Sequence, residues 1–181
     1  RMVDAEEKFA IASLVAEQVQ PGMTVILDGG STTYAVARLL VEKRLQVITN
    51  SLPVASLFSE IGSVETIVTG GSIYSRLGVV LSPMCEDFFG QVHADLAILG
   101  GAGITENGVW NHNALIVAAQ RKMIAAAERS IFAPDNSKFG RKALNLTTPF
   151  ESRFTIVTDT RPTPAVSRAI HAAGAKLTLA Q

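Results

Sequence analysis

Apolar and polar positions along the chain follow two rhythms. Phe9, Ile11, Ala12, Leu14, Val15 and Val19 recur at helical spacing and predict an amphipathic first helix, with Asp4 placed to cap it and Glu6 and Glu7 set favourably in its first turn. Pro21-Gly22 then marks a turn, after which short apolar β-type runs trade places with helical patterns. The strands predicted lie at about 23–28, 45–49, 64–69, 94–99, 129–134, 153–158 and 175–180, and the helices near 31–42, 51–60, 82–91, 113–128 and 163–173. Runs such as Val25-Ile26-Leu27 and Leu96-Ala97-Ile98-Leu99 lack strict alternation. Strands of that kind are buried on both faces of a parallel sheet, and connection through helices fits the same arrangement. The fold class expected is therefore α/β, as a single domain over residues 1–181, without a repeat of fixed period or a low-complexity stretch. Segment 136–152 has no clear period and reads as a functional loop or edge, or else as a flexible linker.

Composition narrows the classes. With 181 residues, 48% hydrophobic and 18% charged, the chain has ample material for a core, and disorder is excluded as its main state. Sixteen basic residues balance sixteen acidic ones, so no overall field draws the chain to nucleic acid or to an anionic membrane. The apolar runs are strand-sized, and the N-terminus lacks the charged-then-apolar order of a signal peptide. These features predict a soluble, cytoplasmic protein without a membrane partner. Cys85 is the only cysteine; it reads as a small packing residue and permits no internal disulfide. His93, His112 and His171 stand singly, which predicts no metal site, and no cofactor is expected. The abrupt passage from Arg1-Met2-Val3 into a helical pattern reads as the start of an excised fragment.

The most informative stretch is Leu27-Asp28-Gly29-Gly30-Ser31-Thr32-Thr33, where an apolar strand ends and a helix begins. Gly29 and Gly30 let the backbone turn sharply and approach a ligand, while Ser31, Thr32 and Thr33 set hydroxyls beside the unpaired amides of a helix N-terminus, whose dipole favours an anion. A phosphate fits such a cradle; the same residues also suit a plain N-cap at Ser31 or Thr32. Other strands end similarly, in Thr49-Asn50-Ser51, Gly70-Gly71, Gly100-Gly101-Ala102-Gly103 and Asp135-Asn136-Ser137-Lys138. In open α/β sheets the ligand crevice lies outside the carboxyl ends of the strands, so these five endings predict one small-molecule pocket. Each glycine pair taken alone also suits a structural turn. Lys138 is either the point cation of an anion site or a solvated surface lysine.

In order along the chain, Asp28, Gly30-Ser31-Thr32-Thr33, Thr49-Asn50-Ser51, Gly70-Gly71, Asp95 with Gly100 and Gly103-Ile104, and Asp135-Asn136-Ser137-Lys138-Phe139-Gly140 resemble the C-terminal effector domain of DeoR-type transcriptional regulators. The resemblance implies a Rossmann-like, largely parallel sheet with helices on both faces, similar to ribose-5-phosphate isomerase. It implies a phosphorylated sugar or polyol as effector and a homo-oligomer. It further implies operator DNA as a partner only through an N-terminal winged helix-turn-helix absent from this chain. The ligand-binding residues carried by cradle and resemblance together are Asp28, Gly30, Ser31, Thr32, Thr33, Asn50, Ser51, Gly70, Gly71, Asp95, Gly100, Gly101, Gly103 and Lys138. The chain departs from the pattern where Tyr74 replaces an arginine and Ser82 a glycine. It departs again where Ile116 and Gln120 replace a glutamate and a lysine of the helix after the Gly-rich loop. Arg76 is a candidate for the missing cation, and Trp110-Asn111-His112-Asn113 for a bulky, hydrogen-bonding wall. Two function classes follow, a sensing domain without catalysis and a sugar-phosphate isomerase on the same fold. The apolar helix from Ala114 to Ala119 lacks the base that aldose–ketose isomerisation needs, which favours sensing.

Overall fold

The unalternating apolar runs become the centre of a seven-stranded sheet in which each adjacent pair is parallel. The computed structural model describes residues 2–180, with side chains from Ala5 onward. The main strands are β1 (Thr24–Leu27), β2 (Leu45–Thr49), β3 (Val64–Val68), β6 (Ala94–Leu99), β9 (Ala127–Phe132), β11 (Phe154–Thr158) and β12 (Lys176–Leu179), in the order β12-β11-β9-β6-β1-β2-β3. Their residues divide between two cores. Val25, Leu27, Val47, Leu96 and Ile98 pack with α1 (Met2–Glu17), α2 (Ser31–Arg38) and α3 (Leu52–Phe58). Ile26, Ile48, Ala97, Leu99 and Phe132 pack with α4 (Pro83–Phe89), α5 (Ala114–Ala126) and α6 (Pro164–Ala172). Helices therefore cover both faces, which is why the strands carry no polar side.

The chain leaves β1 toward β2 and β3 on one side and resumes at β6, on the other side of β1. Sequence order thus reverses between β1 and β6, and a crevice opens there at the carboxyl ends. Two small antiparallel units roof this edge. A hairpin of β4 (Ser72–Tyr74) and β5 (Val79–Leu81) is bridged to Ser51, and a three-stranded sheet orders β10 (Asn145–Thr148), β8 (Gly108–Asn111) and β7 (Gly103–Thr105).

Several expectations shift. The fifth main strand starts at Ala127, two residues early, because Arg153 Nη1 donates to the carbonyls of Ile124 and Ala127 and ends α5 there. Segment 136–152 holds a 3-10 turn at Asn136–Lys138 and then the edge strand β10, tied to α5 by Arg121, which donates to the carbonyls of Leu146 and Thr147. Phe9 is 60% exposed, because two residues turn a helix by about 200° and so set Phe9 apart from Ile11, the start of the buried stripe. The first helix runs through Asp4 from Met2, so Asp4 is not its first residue; the Asp4 side chain lies outside the described residues.

Candidate functional site

At the β1–β6 crevice lies a cavity of about 580 Å³, within the range of small-ligand sites. Its floor is the turn after β1. Gly30 takes φ 107°, a conformation that favours glycine, and begins α2 without any side-chain cap. Elsewhere hydroxyls and amides do cap: Ser51 accepts from Val54, Ser82 from Cys85, Asn113 from Leu115 and Ile116, and Thr163 from Val166. The expected N-cap at Ser31 or Thr32 is thus replaced by bare glycine, and Gly29 through Thr33 line the cavity with α2's first-turn amides uncapped by any side chain.

Asp28 stands beside this turn, buried, at the end of β1. Its Oδ1 accepts from the Gly29 amide at 2.8 Å, and its Oδ2 from the Gly100 amide at 3.2 Å and from Gln120 Nε2 at 2.6 Å. Burial pushes the Asp28 carboxyl above the ordinary carboxylate range, and these three neutral donors only partly oppose it. Gln120 is itself locked. Its Nε2 also donates to the Gly100 carbonyl at 2.8 Å, and its Oε1 accepts from Asn111 Nδ2 at 2.6 Å and Thr147 Oγ1 at 3.4 Å.

Four of the five strand endings reach the cavity: Asp28 to Thr33, Asn50, Gly100 to Ala102, and Asp135 with Lys138. Asn50 donates to the Val80 carbonyl at 3.0 Å. Ser51, Gly70, Gly71, Asp95 and Gly103 do not line it. Ser51 is consumed in capping α3, and its amide donates to Thr49 Oγ1. Gly70 and Gly71 form the turn out of edge strand β3, where Gly71 has φ 134° and a Cβ would stand 2.3 Å from Ser82 Oγ. Asp95 sits at the opposite, amino end of β6, where its carboxylate accepts from the Thr24 amide at 2.8 Å and joins the starts of two strands. Gly103 opens β7 against the Arg141 backbone.

Among the expected wall residues, Asn111, His112 and Asn113 line the cavity. Trp110 does not; its indole donates to Thr105 Oγ1 at 2.9 Å, and Lys142 lies over its ring. Arg76, at the tip of the β4–β5 hairpin, lines the cavity, as do Tyr74, Ile116 and Lys8 of α1. Lys8, Arg76 and Lys138 form no side-chain hydrogen bond or ion pair among the described residues. Sequence reasoning missed the roles of Lys8 and Gln120. A signal existed for Gln120, a polar residue amid the buried Val117, Ala119, Met123 and Ile124 of α5. Cys85 is fully buried, and burial raises its thiol pKa. No cluster of three metal-ligating side chains and no helix long and apolar enough to cross a membrane occurs among the described residues.

The profile of the DeoR C terminal sensor domain matches residues 3–160. The chain is 35% identical over 146 residues to the glycerol-3-phosphate regulon repressor of Escherichia coli (strain K12), covering 80% of this chain and 58% of that protein. It is 27% identical over 173 residues to the HTH-type transcriptional regulator UlaR of Salmonella newport (strain SL254), covering 95% and 68%. The chain thus spans little more than half of the first of these relatives. Among solved structures, ribose 5-phosphate isomerase A of Methanocaldococcus jannaschii superposes with TM-score 0.52 at 16% identity, over 73% of this chain and 53% of the isomerase. Translation initiation factor eIF-2B of Pyrococcus horikoshii OT3 gives 0.56 at 23%, over 78% and 50%. These two likenesses concern the fold alone. The sensor-domain match over most of the chain, joined to the cradle at the β1–β6 crevice, means that the chain belongs to the DeoR C-terminal sensor domain family.

Proposed function

We propose that this domain binds a phosphorylated sugar or polyol and is the sensing part of a transcriptional repressor whose operator-binding winged helix-turn-helix lies outside residues 1–181. It works as a homo-oligomer, and effector occupancy shifts the assembly between states of different DNA affinity through its differential affinity for them. One observation carries the reading: α2 begins without a side-chain cap, in a cavity that also holds a buried carboxylate and three cations unpaired among the described residues. The phosphate sits on the first-turn amides of Ser31 to Thr33 with Lys138 as point cation, and Asp28 accepts a hydroxyl of the carbon skeleton. The name of the glycerol-3-phosphate relative contains a ligand of this chemistry, a small phosphorylated polyol.

Thermal shift against phosphorylated sugars and polyols, each beside its unphosphorylated counterpart, tests the reading. A ligand at 100 times its Kd stabilises the fold by about 2.7 kcal/mol, so at least one phosphorylated compound raises Tm while its counterpart does not. Equal response within each pair would refute the anion site. The isomerase alternative needs a base facing the substrate. Ile116 occupies the cavity wall on α5, and the two carboxylates that line the cavity, Asp28 and Asp135, both accept hydrogen bonds from the protein. Asp28 accepts from the Gly29 and Gly100 amides and Gln120, and Asp135 Oδ1 from the Ser137 amide and hydroxyl, which weakens either as a base. No aldose–ketose turnover is therefore expected with common sugar phosphates. Turnover that disappears in Asp28→Asn or Asp135→Asn would establish the enzyme reading instead.

A further inference from the structure

Lys8 lies on α1, away in sequence from every strand ending, yet it lines the same cavity as Ser31, Thr32 and Thr33. The helix that carries it is firmly packed at its rear. Its rear half packs along α2 through the buried Ile11, Ala12, Val15 and Ala16, and the Lys43 ammonium donates to the carbonyls of Ala16 and Val19 at 2.6 and 2.8 Å, holding its C-terminal end. Nearer its front, Ala5, Glu6 and Phe9 are exposed and Glu7 is half-buried and engaged in an interaction of its own. Lys8 is half-buried and forms no hydrogen bond or ion pair among the described residues. A partly desolvated ammonium without a partner is unfavourable, and an anion on the neighbouring α2 amides would supply that partner.

We propose that Lys8 closes the anion site from α1, so that a bound phosphate bridges α2 and α1 and draws the front of α1 onto the domain. The proposal rests on the phosphate reading above. In a C-terminal sensor domain the polypeptide arrives through its first helix, so whatever precedes it is joined to the front of α1. Occupancy of the cavity is then expressed as the position of that junction. A ligand shifts a conformational equilibrium only as far as its affinities for the two states differ, and the Lys8 contact supplies the difference: the docked front of α1 binds phosphate more tightly than the undocked one. Lys138, in the 3-10 turn after β9, holds the anion in both positions and carries no such signal.

Calorimetric titration with inorganic phosphate and with ribose 5-phosphate, on the parent domain and on Lys8→Met, Lys8→Arg and Lys122→Met, tests this. Lys122 is exposed on α5 outside the cavity and is the control. A hydrogen bond between charged groups is lost in Lys8→Met, so affinity falls about tenfold or more. Lys8→Arg keeps the charge and most of the affinity, and Lys122→Met changes nothing. Hydrogen exchange is the second readout. Either probe should protect amides 6–10 of α1 in the parent but not in Lys8→Met, while protection at residues 31–35 persists in both at saturating probe. Parent-like affinity in Lys8→Met, or absence of probe-dependent protection in α1 of the parent, overturns the proposal and leaves the phosphate site standing. Absence of binding of both probes to the parent overturns the phosphate reading and the part of Lys8 with it.

Discussion

Asp28 is the residue on which the deep end of the cavity turns. Three neutral donors hold a carboxylate that burial makes reluctant to ionise, and the amide of Gln120 is held in place by bonds on both of its ends. Gln120 therefore has no spare group for a ligand and acts by fixing the carboxylate toward its own place in the wall. The raised pKa has a definite consequence for stability. The folded state keeps its Asp28 proton to higher pH than the unfolded chain does, so stability is fully present below the ordinary aspartate range. It declines as pH rises from that range through the raised folded value. In Asp28→Asn this decline is absent. The difference in unfolding free energy, variant minus parent, should rise with pH across that window at up to about 1.4 kcal/mol per pH unit. Urea unfolding of both proteins at a series of pH values measures it, and a flat difference would mean that Asp28 is not desolvated in the folded state.

Among the elements, α2 and α5 make a controlled pair. Both start at the rim of the same cavity, but α5 is capped by Asn113, whose Oδ1 accepts from Leu115 at 2.8 Å, whereas α2 starts at a glycine. Asn113→Ala should cost about 1 kcal/mol of stability, the usual loss of a cap. Ser31→Ala removes no cap and should leave stability within about 0.5 kcal/mol. Yet it should weaken a phosphorylated ligand identified by thermal shift, because a hydroxyl beside the anion is gone. Chemical denaturation combined with ligand titration separates the two roles; a stability loss in Ser31→Ala equal to that of Asn113→Ala would reduce the turn to an ordinary helix start.

On the scale of the whole molecule, formal charge is balanced at sixteen positive and sixteen negative side chains, so net charge supplies no attraction to DNA. Residues 1–181 alone are expected to bind operator and random DNA equally poorly. A sequence-specific, salt-dependent gel shift by this domain would contradict that expectation. The same fold serves isomerases at 16% identity, a reminder that function resides in the side chains at the crevice. Here the crevice is lined by the uncapped first turn of α2, the buried Asp28 carboxylate and Ile116.

The main strands and helices were legible because each signal is local. Runs such as Leu96-Ala97-Ile98-Leu99 need only neighbours in sequence to reveal burial on two faces, and the β1-to-α2 turn announced itself through Asp28-Gly29-Gly30. Most of the cavity wall followed, because carboxyl ends of parallel strands share one edge. The short strands β4, β5, β7, β8 and β10 were not legible: three or four residues carry too little pattern, and they pair with one another outside the main sheet. Asp95 and Gly71 look in sequence like cradle residues, and only the third dimension assigns one to the amino end of β6 and the other to a crowded turn. Lys8 and Gln120 are the reverse case. Each comes from a helix distant in sequence from the cradle, and it is the packing of α1 along α2 and of α5 over β6 that brings an ammonium and an amide to the same cavity. Local pattern sets which segments are buried, whereas contacts across tens of residues decide which polar groups meet.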